Sequence, residues 1–176
     1  MGTSAKFGFY YKGKYYLVFN KYDSYPSGLG YRLVLELLNC DIDQWVRLLE
    51  KIKEVSEDDK PTAEDVIKLA KYTRKKSSPD NFWCLLHQTQ GSFYHVLHSG
   101  YMINLAEDEE CDPEYTYILD LDNKEFKGQG YDLNMSVKLE REELKKYALE
   151  WSNGDRNFYY DPEDFMRMMK AMEFSF

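Results

Sequence analysis

The order of hydrophobic periods predicts an α+β fold, in which a small antiparallel sheet of two hairpins, about four strands, packs with several helices. Three observations carry this. Apolar positions alternate with period two in two separate stretches, around residues 6–20 and 115–127. Residues 31–100 between them follow the helical period, and helical spacing returns over 137–176. Strand pair, helices, strand pair, helices is an α+β order. At 176 residues the chain is expected to form one domain, 1–176, with 137–176 as a helical C-terminal extension.

The first hairpin sets Phe7, Phe9 and Tyr11 against Gly8 and Tyr10, then Tyr15, Leu17 and Phe19 against Tyr16 and Val18, with Lys12-Gly13-Lys14 as the turn. Large residues on both faces predict cover on one side and partial cover on the other. A helix follows over Tyr31 to Asn39, with Leu33, Val34, Leu37 and Leu38 on one face. Asp41 is placed to cap the next helix, with Gln44 three residues on, and Ile42, Trp45, Val46, Leu49 and Ile52 form its stripe. Thr62 and Asp65 are spaced as a capping box for a third helix, predicted to turn Ala63, Val66, Ile67 and Ala70 inward.

Ser78-Pro79 reads as a cap followed by proline at the first helical position, in front of Phe82, Leu85 and Leu86. Ser92 is placed to cap a shorter helix ending near Gly100. The second hairpin alternates Tyr115, Tyr117, Leu119 and Leu121 with Thr116, Ile118, Asp120 and Asp122, and turns at Asp122-Asn123. Leu144, Tyr147, Ala148 and Trp151 share a helix face that stops near Asn153-Gly154. A last helix is predicted behind Asp161-Pro162, with Phe165, Met168, Met169 and Met172 as its stripe.

Charge and cysteine usage narrow the function classes. The net charge of −8 gives a mean field that repels phosphate backbones, so nucleic acid is a disfavoured partner. Cys40, Cys84 and Cys111 are odd in number and without a CxxC pair, which points to free thiols in a reducing, cytosol-like compartment rather than to disulfides or structural zinc. No apolar run approaches the ~20 residues of a membrane span, and a soluble protein is expected. The sequence contains no G-x-S-x-G, S-x-x-K, H-E-x-x-H or P-loop pattern, and no cofactor is expected.

Four constellations remain. In the first, Asp23, Ser24, Tyr25, Pro26, Ser27, Gly28, Leu29 and Gly30 lead into a helix, so the backbone N–H groups of Ser27-Gly28-Leu29-Gly30 lie at the positive end of its dipole. They are open either to a bound anion or to acceptors in the loop itself. Secondly, Asp120 and Asp122 lie two apart on a strand, roughly 6–7 Å from each other, a spacing open to a cation or an acid/base pair and equally to a hairpin turn. In the third, His95 and His98, at i and i+3, are predicted on the wet side of a helix whose apolar face is Phe93, Val96 and Leu97, with His87 likewise solvated. Last, Phe165, Met168, Met169 and Met172 form a stripe open to core packing or to partner binding.

Several of these runs resemble a known family. Met1-Gly2-Thr3, Lys12-Gly13-Lys14-Tyr15-Tyr16, the Asp23-Ser24-Tyr25-Pro26-Ser27-Gly28-Leu29-Gly30 run, Leu86 to Gly91, Gly100-Tyr101-Met102 and Tyr117 to Asn123 resemble an uncharacterised family of large DNA viruses, marseillevirus-type among them, and of fungi. Members carry arginine after Met-Gly-Thr, where Ser4 stands here. The resemblance implies a viral protein acting in the host cell or packaged in the virion.

With the missing catalytic patterns, the expectation is a non-enzymatic protein, a virion component or host-interaction factor that works through protein partners or self-association as an oligomer. The alternative is a small hydrolase or ligand-binding enzyme with its site where Asp23, Ser24, Tyr25 and Ser27 approach Asp120.

Overall fold

Seven strands and six α-helices form along the described part of the chain, which in this computed structural model is residues 2–75 and 78–152. The α+β class is as the periodicities predict. The sequence suggests one domain; the described residues divide into two compact units, one of residues 2–40 and 105–152, the other of residues 41–75 and 78–104.

The first unit is built on a five-stranded sheet of order β2-β1-β5-β6-β7. Strands β1 (Ala5–Tyr11) and β2 (Lys14–Asn20) form the first hairpin, β5 (Tyr115–Asp120) and β6 (Glu125–Gly130) the second. Lys12 and Gly13 both take positive φ, 49° and 75°, as a two-residue hairpin turn requires. Two features differ from an antiparallel four-stranded sheet. The hairpins meet through β1 and β5, which run parallel, with Phe7 opposite Tyr117 and Phe9 opposite Leu119. A fifth strand, β7 (Asn134–Lys138), pairs with β6, so residues 137 and 138 belong to the sheet rather than to the helical C-terminal part.

Register sorts the side chains into rows across the sheet. Val18, Phe7 and Tyr117 form one row, and Tyr16, Phe9, Leu119, Phe126 and Val137 form the next, on a single face. Phe7, Phe9, Tyr117, Leu119 and Phe126 are fully buried there. Two helices supply the cover, α1 (Tyr31–Asn39) with Leu33, Val34 and Leu35 buried, and α6 (Arg141–Trp151) with Leu144, Ala148 and Trp151 buried. A Cβ on Gly30 would sit 3.0–3.1 Å from the Trp151 and Tyr117 rings, which places both aromatic side chains against the start of α1.

The opposite face carries the alternate rows, Tyr15-Tyr10-Asp120-Glu125-Lys138 and Leu17-Gly8-Ile118-Lys127-Ser136. It grades from aromatic and aliphatic groups on β2, β1 and β5 to polar groups on β6 and β7. Part of it meets the 105–114 connector, where the Leu105 N–H donates to the Leu17 carbonyl and Lys6 Nζ to the Asp108 carbonyl.

The second unit is helical, with α2 (Ile42–Leu49), α3 (Ala63–Lys68), α4 (Phe82–Leu85) and α5 (Phe93–Ser99). A two-strand parallel ladder joins β3 (Lys53–Glu54) to β4 (Tyr101–Met102). Asp41 caps α2 by accepting from the Gln44 N–H, Thr62 and Asp65 form the reciprocal capping box of α3, and Ser92 caps α5, which ends on Gly100 in the left-handed region.

Three predicted details are corrected in this unit. The inward residues of α3 are Asp65 and, just beyond it, Leu69, while Ala63, Ile67 and Ala70 are exposed. Polar Asp65 can occupy the inner face because the buried Tyr101 hydroxyl donates to it. The cap of α4 is Asn81, whose side chain accepts from the Cys84 N–H, not Ser78. His95 is 2% exposed and packs against the Tyr72 and Tyr94 rings, so it is an inner residue and not a solvated one.

Candidate functional site

A recess of the sheet unit lies on the face opposite its helices. Register builds it: Tyr15, Tyr10 and Asp120 occupy one row, Ile118 and Lys127 the next, and Asn123 comes from the β5-β6 turn. Together they line a cleft of about 210 Å³. The Tyr10 and Tyr15 rings have centroids 4.7 Å apart and are inclined at 49°. Tyr15 is 48% exposed, so the cleft opens beside an accessible aromatic face.

Asp120 is 1% exposed, yet it is fully engaged. Its Oδ1 accepts from the Asn123 N–H at 2.9 Å, and its Oδ2 accepts from Asn123 Nδ2 at 3.0 Å and from Lys127 Nζ at 2.6 Å. Burial pushes its pKa up, but the Asn123 and Lys127 hydrogen bonds and the lysine charge outweigh burial and hold the carboxyl below its ordinary range. The hydrogen bond to Asp120 likewise raises Lys127. The carboxylate therefore stays charged under ordinary conditions and serves to fix Asn123 and Lys127, rather than to exchange a proton. Glu125 flanks the pair, 3.6 Å from Lys127 Nζ and 2.6 Å from Lys138 Nζ.

Asp122 points elsewhere. Its Oδ1 accepts from the Lys12 N–H at 2.9 Å and its Oδ2 from the Gly13 N–H at 3.2 Å, so it clasps the turn of the other hairpin. A Leu121 N–H to Tyr10 carbonyl bond joins the same two ends. Asp120 and Asp122 thus serve different neighbours.

The Asp23 to Gly30 loop lies at the far end of the sheet. Asn20 pairs with Ala5 and Ala5 with Tyr115, whereas Asp120 pairs with Tyr10. Five steps along the strand separate Tyr115 from Asp120, roughly 16 Å. A joint site of Asp23, Ser24, Tyr25 and Ser27 with Asp120 is therefore corrected. Parallel pairing of β1 with β5 puts the loop at one end and the hairpin turns at the other.

Within the loop, Pro26–Gly30 forms one π-helical turn that runs into α1. The Gly28 N–H donates to the Tyr25 carbonyl, the Leu29 N–H to the Asp23 carbonyl, and the Gly30 N–H to the Tyr25 carbonyl at 3.4 Å. The acceptors are the loop's own carbonyls. Ser24 is wholly buried: its N–H donates to Thr3 Oγ1, its Oγ receives Asn20 Nδ2, and its carbonyl receives the Tyr117 hydroxyl at 2.9 Å. Burial raises the pKa of that phenol strongly. A Cβ on Gly28 would lie 2.3 Å from the Asp23 carbonyl oxygen, which is why glycine stands there.

The second unit holds a buried polar pair that the sequence did not single out. The Tyr101 hydroxyl donates to Asp65 Oδ1 at 2.7 Å, while Thr62 supplies its N–H and hydroxyl to Asp65 Oδ2 at 2.9 Å each. The Tyr101 hydrogen bond, with those from Thr62, lowers Asp65 to about 2, and the bond to Asp65 lifts Tyr101 to about 12. Lys53 and Lys68 ammonium groups lie 5.4 and 5.1 Å from the Tyr101 ring centroid. The Thr62-Asp65 box was legible in sequence; its long-range hydroxyl was not.

His98 stacks on Tyr94 at 3.8 Å, and among the described residues no group of three or more His, Cys, Asp or Glu side chains is placed to hold a metal. Phe165, Met168, Met169 and Met172 lie outside the described residues, as does the predicted stop at Asn153-Gly154. No helix of the described residues is long and apolar enough to cross a membrane. Comparison with protein-family models, curated proteins and solved structures gave no match.

Proposed function

We propose that this protein works by binding rather than by catalysis, and that it does so through protein contacts made by exposed tyrosines of its sheet unit. The observation that carries this reading is the kind of side chain left outside. Tyr15, Tyr22, Tyr25 and Tyr131 are 48%, 59%, 40% and 82% exposed. Tyrosine offers a large, rigid contact area with a polar tip and few rotatable bonds, which makes it a favoured residue at recognition surfaces. The engagement of Asp120 by Asn123 and Lys127 supports the same reading, since the most buried carboxylate of the sheet unit's cleft is committed to holding its neighbours.

In the setting that the family resemblance implies, the partner is a virion or host protein, or a second copy of this chain. Native mass spectrometry and light scattering on the full chain, with pull-downs and proteomics of purified particles, test the proposal. Assembly or specific co-purification is expected with the natural chain and is expected to be lost when Tyr22→Ser and Tyr131→Ser are combined, with the circular dichroism spectrum unchanged. A monomer that retrieves no protein and is absent from particles overturns it.

A further inference from the structure

We infer that the cleft lined by Tyr10, Tyr15, Ile118, Asp120, Asn123 and Lys127 is a binding site for one uncharged, hydroxyl-rich ring, a pyranose unit of a glycan. This goes beyond the protein contacts proposed above and does not depend on them. Size comes first: about 210 Å³ is below the ~300–1,000 Å³ of pockets that enclose a drug-sized ligand, so the cleft suits a single ring or one unit of a longer chain.

Charge excludes two ligand classes. The Asp120 and Glu125 carboxylates are matched by the Lys127 and Lys138 ammonium groups, so the four charges cancel and an incoming phosphate or carboxylate meets no unpaired positive charge to hold it. A cation would have to displace Lys127 from Asp120, where it sits at 2.6 Å inside a carboxylate already bonded by Asn123. A neutral ligand remains.

The polar groups define its chemistry. Asn123 directs its N–H groups to Asp120, which leaves its Oδ1 as an acceptor at the cleft. Lys127 spends one N–H on Asp120 and turns a second towards Glu125, which leaves one donor for a ligand. Because Asp120 fixes both, an acceptor and a donor are held side by side, the complement of two neighbouring hydroxyls that each donate and accept. Beside them the Tyr10 and Tyr15 rings are inclined at 49°, so a flat aromatic cannot lie against both. A puckered ring can, since its C–H groups point in more than one direction.

Titration of the isotopically labelled full chain with uncharged methyl glycosides of glucose, galactose, mannose and N-acetylglucosamine, followed by amide chemical shifts, tests the inference. At least one glycoside is expected to give saturable shifts at Asn123 and its neighbours in the millimolar range, unchanged by added salt because no ion pair forms. Tyr15→Ala and, separately, Asn123→Ala are expected to weaken binding at least tenfold, whereas Ile67→Ala, at an exposed residue of the other unit, leaves it intact. Absence of shifts with every glycoside, shifts that survive both cleft substitutions in folded protein, or preferential, salt-sensitive binding of inorganic phosphate each overturn the inference. Loss of protein partners in the Tyr22/Tyr131 variant with glycoside binding retained separates this site from the contact surface.

Discussion

Tyr117 combines a ring fully buried among Phe7, Phe126 and Trp151 with a hydroxyl that satisfies the Ser24 carbonyl, so one side chain couples core packing to the geometry of the loop before α1. Tyr117→Phe keeps the packing and orphans a buried acceptor, at a cost of about 1–3 kcal/mol in urea unfolding. An unchanged midpoint would show that the loop holds itself.

The pair in the second unit makes a pH prediction. Asp65 lies at about 2 when folded against an ordinary 3.8, so its contribution is complete above 3.8 and is lost as pH falls towards 2. Tyr101, raised to about 12 from 10.0, contributes fully below 10.0 and loses its share as pH rises through 12. In Tyr101→Phe the acid loss of stability between pH 4 and 2 should be shallower than in the natural chain, as should the alkaline loss, when unfolding is measured across pH. The capping half of this arrangement was legible in the Thr62-Asp65 spacing. Tyr101 was not, because a partner 36 residues away leaves no local pattern.

At the scale of elements, the connector into α1 shows how a polar loop becomes architecture. Its glycines and proline announce a specific conformation, and its amides meet carbonyls of the same loop. Gly28→Ala would force a methyl to 2.3 Å from the Asp23 carbonyl oxygen, and the backbone must shift to relieve it. A loss of about 1–3 kcal/mol is expected, with faster hydrogen exchange at Leu29, whose N–H bonds that carbonyl. Unaltered exchange there would remove this account. Helix ends capped by Asp41, Thr62 and Ser92 were readable because a cap joins residues only three positions apart. Strand β7 was harder: Met135 and Val137 alternate with Asn134, Ser136 and Lys138, but five residues of which two are apolar make a faint signal.

For the molecule as a whole, the defining event is the parallel joining of β1 to β5, with Ala5 opposite Tyr115. Two hairpins made locally must meet across about 110 positions of chain, and β5 then lies at the centre of the five-stranded order. Amides of β1 and β5 are expected to be the most protected in hydrogen exchange of the sheet unit, with β2 and β7 at the edges exchanging sooner. Equal protection across all five strands would deny β5 that central role.

By itself the sequence determined the α+β class, the hairpins, the first helix and the caps of three later helices, since each follows from residues within one turn or one strand of each other. Which end of the sheet received Asp120 and which received the Asp23 to Gly30 loop was decided only in three dimensions, as was the burial of Asp65 and His95. Their placement depends on which distant surfaces meet, and side-chain periodicity along one segment carries no record of its neighbour across the fold.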